Sequence, residues 1–268
     1  MNRLRKLCIA AAIAASVTGV APANGGVIEL GFVLDSSGSI TAAGWDIIRD
    51  GLSGAVNLIP VTGPDVYEVS VVTFATTATI NINSVSVNSL AARTALAAQI
   101  AALPFLGSTT NFQDAFNKMQ TALTDGIGTP ASLADASYVN FSTDGVPNAI
   151  GANGTAATQP VAESAGATAR NALIAAGIDN LSVEGIGGAV NVGYLTGAIC
   201  SPQPCDTALP FNFPAQGFYL GVPDPAAYAD AIGNKVRLVT RQLPEPGTLA
   251  LLGVAFAGMG FASRRKPN

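Results

Sequence analysis

An apolar run from Val27 to Leu34, broken only by Glu29 and Gly31, ends on Asp35-Ser36-Ser37-Gly38-Ser39. The run reads as a buried strand, of the kind found in parallel sheets covered on both faces. Trp45, Ile48, Leu52, Ala55 and Ile59 then recur at helical spacing. Asp35, Ser37 and Ser39 therefore sit on a loop between the carboxyl end of a strand and a helix, with Gly38 allowing a tight backbone. Open α/β sheets hold their ligands at such strand ends. One carboxylate and two hydroxyls gathered there suit a hard cation such as Mg2+, which prefers oxygen. The competing reading is a polar turn in which Ser39 or Thr41 caps the next helix.

Further along, 66–74 (VYEVSVVTF) and 79–87 (TININSVSV) are rich in β-formers, and the second alternates apolar with polar. Few residues separate them, which predicts a hairpin with the alternating strand at the sheet edge. Ser89 is placed to cap a helix reaching Leu103, with Leu96, Ile100 and Leu103 on one face and Pro104 at its end. After Gly107-Ser108-Thr109-Thr110-Asn111, the spacing of Phe112, Phe116, Met119 and Leu123 predicts another helix, with Asn111 and Asp114 shaped as an amino-terminal cap. Ser137 to Phe141 is a short apolar strand, and Ser142-Thr143-Asp144-Gly145 leaves its carboxyl end. Residues 148–160 are Gly, Ala, Asn and Thr-rich and are expected to form an exposed loop. Helix over 161–176, stopped by Gly177, precedes a strand over 181–186. Residues 187–216 are Gly- and Pro-rich, and a loop of that length is usually functional or an insertion. Phe218 to Val222 reads as the last strand. Asp224 caps a final helix bearing Tyr228, Ile232, Val236 and Val239. Strands alternating with helices imply an α/β, doubly wound fold. Its central sheet is mainly parallel, with one antiparallel edge strand and helices on both faces.

The two ends read differently. Arg3, Arg5 and Lys6, the apolar run Leu7 to Val17 and Ala21-Pro22-Ala23 form a secretory signal peptide over residues 1–23, with Asn24 expected first in the mature chain. The run is short for a permanent anchor. At the other end Pro244-Glu245-Pro246 precedes an apolar segment, Leu249 to Ala262, and then Arg264-Arg265-Lys266. This is a marginal membrane segment with a positive stop, and a plain tail anchor would look similar. Between the ends, residues 24–243 carry 7 Lys and Arg against 16 Asp and Glu, a net charge of −9. So acidic a domain is unsuited to nucleic acid, which is bound by neutralising phosphates. The chain has no histidine, which removes Ser-His-Asp and Cys-His chemistry and any His-based metal site. Once Cys8 leaves with the signal peptide, Cys200 and Cys205 remain, and an oxidising compartment is expected to pair them. Two free thiols and a partial metal site are the alternatives.

The phrases FVLDSSGSI, STTNFQDAF and VNFSTDGVPN, in this order and strand context, resemble the von Willebrand factor type A (VWA) domain and its metal-ion-dependent adhesion site. The resemblance spans about residues 27–240, so residues 24–243 are taken as one VWA domain. It implies that Asp35, Ser37, Ser39, Thr110 and Asp144 surround Mg2+ or Mn2+. Thr110 fits the pattern better than Thr109; Phe112 departs from it, since a small residue or Thr is common there. Residues 244–268, with their Pro-Glu-Pro entry, glycines 253, 258 and 260 and terminal arginines, resemble the PEP-CTERM sorting signal. That implies a Gram-negative bacterium, an exosortase that removes the tail, and a protein that meets the membrane only transiently before reaching the surface or matrix.

A site built mostly of neutral hydroxyls leaves a divalent cation undercompensated, and a carboxylate from a protein or acidic polymer can complete its shell. The expected function is a secreted or surface-displayed binding module, not an enzyme. The alternatives are a structural matrix component without metal-dependent binding, or a metal-assisted hydrolase in which Asp144 is the one candidate base. Gly185-x-Gly187-Gly188 lacks the remainder of a dinucleotide fingerprint and reads as a tight turn. The acceptor patterns at Asn140, Asn153 and Asn180 read as accidental for glycosylation, with Asn140 inside a buried strand.

Overall fold

The computed structural model describes residues 25–240; the expected signal peptide and sorting segment lie outside them. Eight strands form among the described residues: β1 (Val27–Asp35), β2 (Val66–Phe74), β3 (Ala78–Val87), β4 (Ala136–Thr143), β5 (Ala149–Ile150), β6 (Thr155–Ala156), β7 (Asn180–Ile186) and β8 (Tyr219–Val222). The main helices are α1 (Thr41–Val56), α2 (Leu90–Ala101), α3 (Phe112–Ala122), α4 (Gln159–Ala175) and α5 (Pro225–Val239). Six strands make one sheet in the order β3-β2-β1-β4-β7-β8. Every neighbouring pair is parallel except β2 and β3, the expected hairpin with its alternating strand at the edge. The sequence-based fold class therefore holds.

Sheet alternation divides the core in two. Leu30, Phe32 and Leu34 face a cluster with Trp45, Ile48 and Leu52 of α1, Leu96 and Ile100 of α2, and Tyr228, Ile232 and Val236 of α5. Val33, Val72, Phe74, Val139 and Phe141 face Phe112, Phe116 and Met119 of α3 and Ala169 and Leu173 of α4. The buried Trp45 indole donates to the Leu103 carbonyl at 3.1 Å, which satisfies its one polar atom. Gly31, the break in β1, has a packing reason: a Cβ there would lie 2.8 Å from Met119 Sδ and 3.1 Å from a Val139 methyl, so a side chain would force the Met119 side chain of α3 to shift.

The caps anticipated from sequence form. Ser89 Oγ accepts from Ala92 N at 3.2 Å, Asn111 Oδ1 from Asp114 N at 3.1 Å and Asp224 Oδ1 from Ala227 N at 3.0 Å. Two stretches differ from expectation. Residues 148–160 are not simply an exposed loop: β5 and β6 pair as a short antiparallel hairpin, and Ala149 is buried. Two-residue strands are too short to leave a periodic signal. The long 187–216 stretch contains a helical turn, Val192–Tyr194, continuing into a π-helical turn, Leu195–Ile199, that buries Leu195 and Ile199. A disulfide joins Cys200 to Cys205. No helix among the described residues is long and apolar enough to cross a membrane.

Candidate functional site

β1 and β4 are adjacent and parallel, with Leu34 opposite Ser142. The loops that leave their carboxyl ends therefore meet at one edge of the sheet, carrying Asp35, Ser37 and Ser39 from one side and Asp144 from the other. Asp35 is fully buried. Its Oδ1 accepts from the Ser37 amide at 2.8 Å and its Oδ2 from the Thr143 hydroxyl at 2.6 Å. Ser37 Oγ and Ser39 Oγ lie 3.2 Å apart, and Ser39 Oγ donates to Asp144 Oδ1 at 2.6 Å. A continuous line of oxygens thus runs from the interior to solvent: Asp35 and Ser37 buried, Ser39 exposed, Asp144 between them in exposure.

Of the two residues that sequence offered as caps for this helix, Thr41 takes the role and Ser39 does not. Thr41 Oγ1 accepts from Gly44 N at 3.2 Å and so occupies the first turn of α1, with Thr41 at a positive φ of 64°. The Ser39 hydroxyl is turned to Asp144 instead.

The loop before α3 is fastened to the first loop by its backbone. Gly38 N donates to Ser108 O at 2.9 Å and Gly107 N to Ser36 O at 2.8 Å, while Ser36 Oγ accepts from Leu106 N at 2.9 Å. Gly38 permits this approach, since a Cβ there would lie 3.1 Å from Ser108 O. Thr110 is held by Asn148: Thr110 N donates to Asn148 Oδ1 at 2.8 Å, and Asn148 N and Ala149 N donate to Thr110 O at 2.9 and 3.2 Å. Thr109 is diverted, its hydroxyl donating to Thr76 Oγ1 at 2.9 Å. The structure thus brings Asp35, Ser37, Ser39 and Asp144 into one hydrogen-bonded line. Thr110 joins them through its loop's backbone; its hydroxyl bonds to none of the four.

Burial pushes the Asp35 carboxyl up to about 6, aided by the Asp144 charge and opposed by the Ser37 and Thr143 hydrogen bonds. Burial also raises Asp144, against the Ser39 hydrogen bond. Among the described residues no Lys or Arg forms an ion pair with either carboxylate. Two desolvated acids without a counter-charge are what a bound cation would relieve. The donors are hard oxygens, which fits Mg2+ or Mn2+. No cluster of three or more His, Cys, Asp or Glu suited to a metal occurs among the described residues, so an ion here would rest chiefly on hydroxyls.

Residues 29–190, more than half of the 268-residue chain, match the von Willebrand factor type A domain model. The chain belongs to this family. Residues 242–266 match the PEP-CTERM protein-sorting motif. No curated protein matches the sequence. Among solved structures, the VWA fold is shared with proximal thread matrix protein 1 of the mussel byssus (18% identity, TM-score 0.56), over 81% of this chain and 47% of that one. A further structure of the mussel protein is described as having a zinc-occupied MIDAS motif. The PilB minor pilin of Streptococcus sanguinis is similar at 16% identity and TM-score 0.59, over 82% of this chain and 63% of that one. Manganese-loaded TRAP of Plasmodium vivax is similar at 22% identity and TM-score 0.51, over 78% and 71%. At these identities the likeness is one of fold, and the chain spans about half the mussel protein's length.

Beside Ser39 and Asp144 the VWA domain opens a groove of about 490 Å³, walled by Ile40 just before α1, Ala43 and Ile47 in its first turns, Ile186 at the end of β7, and Pro223 and Pro225 at the start of α5. Phe112, the departure from the family pattern, lies under the site in the core. Its ring meets Phe141 edge-on at 4.8 Å and Phe74 edge-on at 5.8 Å. Thr143 and Asn148 were not singled out from sequence. Thr143 lies inside the Ser-Thr-Asp-Gly phrase, but its bond to Asp35 depends on the β1–β4 register. Asn148 closes the VNFSTDGVPN phrase, but nothing local shows that its side chain reaches the Thr110 amide.

Proposed function

We propose that this VWA domain is an exported binding module that uses a divalent cation, Mg2+ or Mn2+, to hold an acidic group of a protein or polymer ligand. The observation that carries the reading is the line from Asp35 through Ser37 and Ser39 to Asp144, with the Ser39 hydroxyl given to Asp144 and not to the helix. Asp35, Ser37, Ser39, Thr110 and Asp144 would hold the ion. When bound, the cation supplies a coordination position that a ligand carboxylate completes. The Ser37 amide and Thr143 hydroxyl fix the Asp35 carboxylate, and Asn148 fixes the Thr110 backbone, so the donors are ordered in advance. Two carboxylates offset the charge of a divalent ion, and the remaining donors are neutral hydroxyls that an anionic partner could supplement at an open position. With no histidine in the chain, only Asp144 could serve as a base near such an ion, and it is already occupied by Ser39. This supports binding over hydrolysis. Zinc in the mussel protein's MIDAS motif and manganese in the Plasmodium protein support a metal on this fold.

The sorting motif implies exosortase processing and a place outside the inner membrane of a Gram-negative bacterium. The surface or matrix is then where the ligand is met.

Thermal melting of the purified chain in EDTA, Mg2+ and Mn2+ tests the metal step. A cation that binds only the folded state adds about 2.7 kcal/mol at 100 times its Kd. Ser39→Ala and Asp144→Ala are expected to lose that gain while keeping the EDTA melting curve near that of wild type. A wild-type curve unmoved by millimolar metal would overturn the reading. Capture of envelope components on the immobilised domain, reversed by EDTA, tests the ligand step.

A further inference from the structure

On the α1–α5 face of the sheet, below the candidate site, three polar side chains from three elements converge. Asn140 stands on β4 opposite Ser182, and Glu184 stands on β7 opposite Ser142. Lys235 enters from α5. All three are buried, with relative exposures of 4% for Asn140, 0% for Glu184 and 5% for Lys235. Lys235 Nζ lies 2.8 Å from Glu184 Oε1 and also donates to Asn140 Oδ1. The Phe218 ring covers the amine, its centroid 4.8 Å from Nζ.

As a permanent ion pair the group is incomplete. A buried pair is repaid only when its remaining lone pairs and protons are also satisfied. Here Asn140 Nδ2 and Glu184 Oε2 make no hydrogen bond of acceptable geometry. That amide nitrogen is the atom that would depart if the amine attacked the amide carbon to which it is attached. A void of about 10 Å³, bordered by Tyr138, Asn140, Ser182 and Lys235, approaches the size needed for one water-sized molecule.

We propose that Lys235 and Asn140 become joined by an intramolecular amide bond, with Glu184 as the proton carrier. Lys235 first passes its ammonium proton to Glu184. The neutral Nζ attacks Asn140 Cγ and forms the Nζ–Cγ bond, and one of its two remaining protons is relayed through Glu184 to Nδ2. The Cγ–Nδ2 bond breaks and Nδ2 leaves as ammonia, which takes the first proton and departs as ammonium. No oxidant or other co-reactant is needed. A desolvated lysine is a competent nucleophile once neutral. Burial lowers Lys235 and raises Glu184, with their mutual attraction opposing both, so burial favours the proton on the carboxyl. The bond would fasten α5 to the second of the two central strands of the sheet.

Peptide mapping of the purified full-length chain decides the matter. Trypsin acts after Lys118, Arg170, Lys235 and Arg237. The bonded protein, reduced and alkylated, should resist cleavage after Lys235. It should yield residues 119–170 joined to residues 171–237, one ammonia lighter than the two peptides together. Glu184→Gln should yield separate 119–170 and 171–235 peptides. Because the wild-type map stands alone, the test survives a misfolded variant. Wild-type chain that is folded by circular dichroism and gives the two separate peptides at full mass overturns the proposal. Cross-linking of Glu184→Gln to the wild-type extent would remove Glu184 from it.

Discussion

Glu29 is a buried carboxyl of the sheet, and replacing it with Gln should make the domain more stable. It sits in β1 with Glu68 of β2 on one side and Ser137 of β4 on the other. Its exposure is 1%. Ser137 Oγ is at 3.5 Å from Oε2, the outer limit of a hydrogen bond, and Oε1 has no partner. Glu68 is engaged elsewhere, its Oε2 accepting from Thr129 N at 2.7 Å. Burial, then repulsion from Glu68, pushes the Glu29 carboxyl from 4.5 up to about 8, with Ser137 opposing.

The sign follows from linkage. A carboxyl raised in the folded state binds its proton more tightly there than in the unfolded chain. Its contribution is therefore fully present below 4.5 and is lost as pH rises towards 8. Each pH unit inside that window costs about 1.4 kcal/mol, a ceiling near 5 kcal/mol. Local relaxation and water entry bring the expected loss to roughly 2–3 kcal/mol. Gln keeps the shape and never ionises. Urea unfolding of wild type and Glu29→Gln in EDTA, from about pH 4 to pH 9, would read the difference directly. The two should be nearly equal at the acid end, and the variant should gain steadily to a plateau above pH 8. Parallel stability profiles across the window would refute the assignment of Glu29 as a buried, protonated acid.

The other expectations concern the site, the loop and the tail. Thr143→Val keeps the shape but removes the hydroxyl that donates to Asp35. It should cost roughly 1.5–3 kcal/mol, as for other hydrogen bonds to charged groups, and shrink the Mg2+-induced rise in melting temperature; an unchanged metal response would deny Thr143 its positioning role. Reducing the Cys200–Cys205 bridge, which closes a short loop, should cost only about 2 kcal/mol and raise proteolysis within 187–216; two alkylatable thiols in unreduced native protein would contradict the pairing. Mature protein from its host should begin at Asn24 and lack residues beyond about 247. A peptide containing Phe261-Ala262-Ser263 in the mature fraction would make the chain a simple tail-anchored protein.

Much of the fold was legible because its elements are long and their signals local. The strand at 27–34 and the helix bearing Trp45, Ile48 and Leu52 announce themselves by composition and period. Ser89, Asn111 and Asp224 each perform the capping role their positions suggested. The β5–β6 hairpin was missed because two-residue strands have no period, and the turns at Val192–Ile199 because a single turn has little more. The candidate site divides along the same line. Asp35, Ser37 and Ser39 are neighbours in sequence and could be read together, and Asp144 follows a strand of its own. Thr143 and Asn148 act across loops, and no local pattern reveals that Leu34 faces Ser142. Asn140 was noted from sequence only as lying in a buried strand, and Glu184 and Lys235 were not singled out; only strand register and helix placement bring the three together.

The course of α5 relates the candidate site to the sorting segment. Asp224 and Pro225, where the helix begins, border the groove beside Ser39 and Asp144. At its far end the Thr240 carbonyl accepts from the Tyr67 hydroxyl at 3.5 Å; Tyr67 is the second residue of β2, at the opposite edge of the sheet. Fifteen residues of helix cover about 22 Å at 1.5 Å per residue. A ligand held at the groove and a tail held at the envelope would therefore pull on opposite ends of the domain. Such a load enters at Thr240 and must pass through α5 before it reaches the strands that carry Asp35 and Asp144. Apolar packing of Tyr228, Ile232 and Val236 resists it by short-range contact alone, which fails once the helix slides by a side chain's width. Lys235 lies within that packing, four residues from the end of the helix, and reaches β4, the strand that leads to Asp144. A fastening at Lys235 is thus placed where it would carry tension from the tail to the site strand even if the helix loosened around it.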